Sequence, residues 1–210
     1  MISKPLFNLN DFFGLEIQNP SMFMTTNKLE SKEIASCVQT HSNNVKYIVK
    51  PGIYKNVDGL VTNLENKIKL VIQTADCVPI FITDFKKKNV GLIHSGWKGT
   101  ANSIIISAIS VFINAGSDIK DISVYLGPCI KKCCYEIKDD VSKFFDNKFI
   151  IKKNKMQFLD LESKIFDDVL KIGLSEKKLF KSNICTFENK NFCSFRRDNK
   201  NSGRMYSYLI

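Results

Sequence analysis

Four short apolar runs, each bounded by turn residues, set the strongest limit on what this chain can fold into. Residues 69–74, 78–83, 90–93 and 122–126 are rich in Val, Ile and Leu and are too brief to be ordinary helices, so they read as strands. Residues 45–49 read as another strand, ended by the turn pair Pro51-Gly52. Pro79 near the start of one run implies that this strand begins at an edge or an irregularity. Apolar residues recur at helical spacing over 101–115, with Thr100 as candidate N-cap and Gly116 at the expected stop. Two further helices are expected over 138–145 and over 161–172, the latter ending at Gly173. Segments 183–186, 192–196 and 204–209 read as strands. Strands and helices that mix without strict alternation predict an α+β fold. No repeat or Gly/Ser linker divides the chain, so residues 1–210 are expected to form a single domain.

Composition excludes several classes. No apolar run approaches the roughly 20 residues of a membrane helix, and the N-terminus MISKPLFNLNDFF shows no secretory leader, so a cytoplasmic protein without membrane contact is expected. The seven cysteines are odd in number and scattered, which argues against a disulfide framework. The net charge of +10 invites a nucleic-acid reading. Only three of the 31 basic residues are arginine, however, and the lysines are spread along the whole chain rather than gathered in a stripe, so no nucleic-acid partner is expected. The arginines Arg196, Arg197 and Arg204 fall within nine residues of one another, which suggests positions that need a planar, bidentate donor.

The chain has only two histidines. His41 lies in the polar loop QTHSNN, and His94 ends an apolar run before a Ser-Gly turn. Cys77 stands between two such runs. Strand ends opening into loops hold side chains rigidly yet accessibly. Two imidazoles and one thiolate make a three-ligand zinc set with the fourth position open, as in catalytic zinc sites, where a bound water ionises near neutral pH. Asp76 is a candidate partner that would fix a histidine tautomer or accept a proton. Intervals of 36 and 17 residues follow no local zinc rule. The residues alone therefore also allow two surface histidines and a buried cysteine.

Ser95-Gly96-Trp97-Lys98-Gly99-Thr100 leads into the expected helix, where free N–H groups and Lys98 would favour an anion; an ordinary capped helix fits equally. Trp97 reads as core. Cys129, Cys133 and Cys134 have no local histidine to complete a metal clip and read as buried thiols.

Six segments in order, QTHSNNV (39–45), DGLVT (58–62), TADCVPI (74–80), HSGWKGT (94–100), LGPCI with CCYEI (126–137) and CSFRRDN with GR (193–204), resemble the YfiH-like laccase-domain proteins. The resemblance runs from about residue 36 to the C-terminus. It implies an α+β sandwich of mixed β-sheets with flanking helices, and a zinc site on His41, Cys77 and His94. It further implies phosphorolysis of adenosine, inosine and methylthioadenosine, together with adenosine deamination. Purine nucleoside and phosphate are then the partners, with Ser95, Lys98, Arg196 and Arg197 as candidate contacts and Cys77 and Asp76 as candidate catalytic groups. The chain departs from the family at Ser42, where Gly is usual, and at Lys98, where Arg is usual. The family's N-terminal arginine-and-glycine segment is not recognisable in residues 1–35.

Family members are also associated with copper-dependent phenol oxidation and with editing of peptidoglycan precursors. Two histidines cannot furnish a coupled multicopper cluster, so copper is expected only as an occupant of the zinc site, with weak oxidase activity. A hydrolase in which Cys77 is the nucleophile is the alternative enzyme.

Overall fold

The structure is a computed structural model that describes residues 13–18, as a strand, and residues 33–209. The expectations placed on the N-terminus, no leader and no family segment in 1–35, fall almost wholly outside the described residues. Along the chain come β1 (Phe13–Gln18), β2 (Ile34–Val38), β3 (Val45–Tyr47), β4 (Gly52–Lys55), β5 (Gly59–Asn63), β6 (Lys69–Thr74), β7 (Val78–Asp84) and β8 (Asn89–Ser95). Next are α1 (Trp97–Ala101), α2 (Ile104–Asn114), β9 (Ser123–Leu126), β10 (Glu136–Ile137), α3 (Asp139–Ser142), β11 (Ile150–Lys153) and β12 (Met156–Leu159). Last are α4 (Leu161–Lys171), β13 (Leu179–Lys181), α5 (Phe195–Asp198) and β14 (Arg204–Leu209).

The strands form a five-stranded sheet, β1-β14-β6-β2-β4, a six-stranded sheet, β13-β9-β7-β8-β5-β3, and a small sheet, β10-β12-β11. Both large sheets are mixed: β2 runs parallel to β6 while β14 runs antiparallel to it, and β9 runs parallel to β13 but antiparallel to β7. Alternation along the strands explains the layering. Leu60, Phe81, Val90 and Leu92 of the six-stranded sheet pack with Ala35, Leu70, Ile72 and Leu209 of the five-stranded one. Their neighbours Val61, Ile80, Ile82 and Ile93 point the other way, onto Ile105, Ala108, Ile109 and Phe112 of α2 and Ile165 and Val169 of α4. β7 and β8 are thus buried on both faces, which is why they read as continuous apolar runs. The expected α+β sandwich of mixed sheets with flanking helices is what forms. No helix among the described residues is long and apolar enough to cross a membrane.

Several local expectations differ. The helix expected over 101–115 begins only at Ile104, as α2, and the separate short α1 precedes it, because Ser103 adopts the left-handed conformation (φ 51°, ψ 48°) between them. Asn102 closes α1 by donating its side-chain amide to the Lys98 carbonyl, and Lys164 reaches the Ser103 hydroxyl at 3.3 Å. Thr100 is not an N-cap; it lies inside α1 and its hydroxyl bonds Ser95 Oγ at 2.8 Å. The glycine stops do occur, since Gly116 and Gly173 have φ of +87° and +93° and the next N–H groups reach back to Phe112 and Val169. Pro79 lies in an interior strand, but pairing with β9 begins only at Ile80. Residues 183–186 make only an isolated bridge, Cys129 with Cys185, and 192–196 turn into α5 instead of extending. The helix expected over 138–145 shrinks to the single turn of α3.

A methyl added at Gly91 would lie 2.8 Å from the Phe112 ring and 3.2 Å from Val61. Gly91→Ala is therefore expected to lower stability by about 1–3 kcal/mol, read from the urea midpoint. Phe112→Leu destabilises alone but should recover part of the Gly91→Ala loss when combined with it. Simple addition of the two losses would show that the ring is not the obstruction.

Candidate functional site

The site is assembled around Asp58, at the head of β5 and completely buried. Its carboxylate accepts from the backbone N–H groups of Thr40 (3.2 Å), His41 (3.0 Å) and Ser42 (2.7 Å) and from the hydroxyls of Thr40 and Ser42. It also meets His94 Nδ1 at 2.9 Å. Its backbone is tied as well: the carbonyl accepts from His94 N and the N–H donates to Asn44. Burial opposes ionisation, but His94 and the Ser42 and Thr40 donors outweigh it and hold the carboxyl well below its ordinary range. An ionised Asp58 fixes a proton on His94 Nδ1 and turns Nε2 toward Cys77 and the site. The same carboxylate wraps the 40–42 loop, which presents His41 from a left-handed backbone (φ 59°).

Cys77 comes from the turn between β6 and β7, where Asp76 has a φ of 79°. A non-glycine residue resists that conformation, and three hydrogen bonds compensate. The Asp76 carboxylate accepts from Thr186 Oγ1 (2.6 Å), Ser194 Oγ (3.1 Å) and Arg196 N (2.7 Å). These bonds also explain why 192–196 is not a strand, since Ser194 is held to Asp76 while it caps α5 by accepting from Arg197 N.

His41, Cys77 and His94 converge. Their ligating atoms all lie within 4.8 Å of one another, with His41 Nε2 3.9 Å from Cys77 Sγ. The imidazole rings meet edge-on at 82°, with centroids 4.8 Å apart. Burial pushes the Cys77 thiol up, but hydrogen bonds and charge from His41 and His94 prevail and bring it down to about 7. Burial likewise disfavours a charged His94, yet Asp58 and Cys77 raise it to about 9. Gly96 is required here for space, because a side chain would lie 2.8 Å from the His41 ring and 3.0 Å from Cys77 Sγ.

These three residues floor a cleft of about 630 Å³ that also reaches Trp97, Tyr135, Arg196 and Arg204. Arg196 stacks over the Tyr135 ring, 5.1 Å from its centroid, and donates one N–H to the Glu136 carbonyl. The other sequence candidates take other roles, and of them only Asp76 borders the cleft. Asp76 partners no histidine; Asp58 does that, and Asp76 instead anchors the segment carrying Arg196. Arg197 spends its guanidinium on the carbonyls of Thr186, Phe187 and Phe192 and on Asp198, so it staples the C-terminal segment. Ser95 is fully buried and bonded to Thr100. Lys98 lies over the Trp97 indole, with its Nζ 5.6 Å from the ring centroid, and does not line the cleft. The five residues of α1 also give the turn after His94 no helix long enough to draw an anion. Trp97, read as core, is half-buried and forms part of the cleft wall.

Asp58 and Tyr135 were not expected as site residues, and Arg204 stood out only as one of three clustered arginines, although all three lie in the quoted segments. An acid directly ahead of Gly-Leu-Val in a strand was the available sign of a buried carboxylate.

Residues 16–210 match the family model described as multi-copper polyphenol oxidoreductase laccase. The chain is 34% identical over 173 residues to a purine nucleoside phosphorylase of Borreliella burgdorferi, covering 80% of this chain and 75% of the relative. It is 35% identical over 191 residues to one of Clostridium acetobutylicum, covering 85% and 77%. Among solved structures, the hypothetical protein YfiH of Bacillus licheniformis superposes with a TM-score of 0.80 at 29% identity, covering 87% of this chain and 75% of that one. YlmD from Geobacillus stearothermophilus gives 0.79 at 27%, covering 85% and 73%. With the fold, the ordered segments and the family model in agreement, this chain belongs to the YfiH-like laccase-domain family.

Proposed function

We propose that this chain is a zinc-dependent purine nucleoside phosphorylase, with adenosine deamination as a second activity of the same site. The observation that carries the reading is the convergence of His41, Cys77 and His94 on the floor of a cleft walled by Tyr135 and Arg196. Phosphorylase names among the relatives support it. The donor set fits the ion: tetrahedral zinc holds N and S ligands about 3.3–3.8 Å apart, so the present spacing needs only slight closure. His94, fixed through Nδ1 by Asp58, has the orientation that metal-ligating imidazoles require. When bound, zinc would supply Lewis-acid polarisation and acidify a water or hydroxyl.

The chain's own groups bind and orient the substrates. In phosphorolysis a phosphate oxygen bonds to ribose C1′ while the bond from C1′ to the purine nitrogen breaks, and the base leaves with the electron pair. Arg196, pinned by Tyr135 and Glu136, keeps N–H groups free for phosphate or ribose oxygens, and Arg204 lies in the same wall. The faces of Tyr135 and Trp97 suit a purine ring. Copper on the same three ligands would give weak phenol oxidation. Both histidines of the chain are already in this site, which leaves none for a coupled copper cluster.

A second reading has one observation in its favour: Cys77, brought down to about 7 beside His41, resembles an activated nucleophile of a hydrolase, with a peptidoglycan precursor as its substrate. Alkylation of Cys77 by iodoacetamide separates the two. Zinc should protect it if the thiolate is a ligand and should leave it reactive if it is a free nucleophile.

Zinc-loaded protein given inosine and phosphate should release hypoxanthine and ribose 1-phosphate, and adenosine without phosphate should yield inosine, both followed by chromatography. Absence of all three products defeats the assignment. Asp58→Asn is expected to weaken zinc binding by about 10–100-fold in competition with a chromophoric chelator; unchanged affinity would remove Asp58 from its positioning role. Arg196→Ala should cut kcat/KM while leaving Tm nearly unchanged. Arg197→Ala should instead lower stability by about 2 kcal/mol through lost charged hydrogen bonds; a reversed pattern would exchange the two roles.

A further inference from the structure

A second cluster of metal-ligating side chains lies apart from the cleft. Cys133, Cys134, Cys185 and Glu188 bring three sulfurs and a carboxylate within 4.8 Å of one another. Cys133 Sγ is 3.9 Å from Cys185 Sγ and 3.2 Å from Cys134 Sγ. The cysteines read from sequence as a buried group are not uniformly so: Cys129 is buried, but Cys133 is exposed and Cys134 half-buried. No histidine stands near 129–134 to complete a clip. The completing ligands come instead from about fifty residues further along the chain.

We propose that Cys133, Cys134, Cys185 and Glu188 form a closed, four-ligand structural site for a thiolate-preferring divalent ion of the zinc class. Ligand number and type match that class, since structural zinc takes four ligands, mostly thiolates, with no open position. Spacing matches as well. Zinc–sulfur bonds of about 2.3 Å in a tetrahedron separate sulfurs by about 3.8 Å, close to the distance between Cys133 and Cys185. Both halves are preformed turns. Cys134 N and Tyr135 N donate to the Lys131 carbonyl, and Asn189 N donates to the Cys185 carbonyl, which closes a Cys-x-x-Glu turn with both side chains directed to one spot. The halves are already docked, because Thr186 N donates to the Cys129 carbonyl. Four such groups, if ionised, repel one another without a cation between them. Lys190, beside Cys185 and Glu188 in the same surface recess, offsets the excess negative charge of the loaded site.

Location gives the site a purpose. Cys134 precedes Tyr135, which stacks on Arg196, and Cys185 precedes Thr186, whose hydroxyl holds Asp76. An ion here would bolt the loop that carries one wall of the cleft to the segment that carries the other. It would do so without touching substrate.

Metal content of the full chain, purified with reductant and zinc, tests the proposal by plasma mass spectrometry. Two zinc ions per chain are expected, falling to one in Cys133→Ser with Glu188→Gln, both at exposed positions, and falling to one through loss of the other ion in His41→Ala. Cobalt titration of the unaltered chain needs no variant and should give two successive equivalents, one with the intense near-ultraviolet absorption of several thiolates. A single zinc that survives Cys133→Ser and disappears in His41→Ala overturns this site while leaving the cleft reading intact. A chain lighter by two hydrogens, with the Cys133 thiol closed to alkylation until reduced, overturns it in favour of a disulfide. Loss of zinc in His41→Ala alone bears on the cleft, so failures of the two sites are told apart.

Discussion

Six hydrogen bonds converge on one buried carboxylate, and the geometry of the cleft follows from them. Asp58 has no exposure to water, so its charge persists only because Thr40, His41, Ser42 and His94 together replace a hydration shell. That replacement couples two things that could otherwise vary independently, the tautomer and direction of His94 and the path of the loop bearing His41. Ser42, the position at which this chain departs from its family's usual glycine, contributes two of the six donors. The hydroxyl therefore reinforces the hub, and the departure carries no loss of the loop's anchoring.

A second carboxylate organises the opposite side. Asp76 sits in a strained turn that aims Cys77 at the histidines, and its oxygens gather Thr186, Ser194 and Arg196 from more than a hundred residues away. The turn and the C-terminal segment support each other. The hydrogen bonds offset the cost of the left-handed backbone, while the turn gives the segment a fixed point from which Arg196 reaches Tyr135. Arg197 completes the arrangement by holding the segment's own carbonyls. Adjacent arginines thus divide into one that faces the cleft and one that never reaches it.

Much of this is legible in the sequence, and the boundary between legible and illegible is physical. Strands buried on both faces, such as β7 and β8, announce themselves as apolar runs, and the helix stops at Gly116 and Gly173 announce themselves because few other residues accept that backbone. Short edge strands such as β4, exposed along most of its length, carry no such pattern. Ser103 breaks a helix whose buried face, Ile104, Ile105, Ala108, Ile109 and Phe112, keeps its period right up to the break, so periodicity could not reveal it. His41, Cys77 and His94 stood out because histidine is scarce here and strand ends are where chemistry is displayed. Asp58 did not, since its place ahead of an apolar strand signals burial but not which groups will donate to it. The choice between Asp58 and Asp76 as the histidine's partner was beyond the sequence for the same reason: it depends on which loop folds over which strand.

The brevity of α1 has a consequence for ion recognition. Five residues carry almost no aligned dipole, and the chain then turns through Ser103, so the segment after His94 offers an incoming anion neither a ring of free amides nor a concentrated field. Were an anion to enter the cleft, the planar donors there to meet it would be the guanidinium groups of Arg196 and Arg204. Recognition would then rest on fitting oxygen atoms to two forked donors, a matter of shape and aim rather than of a helix's field.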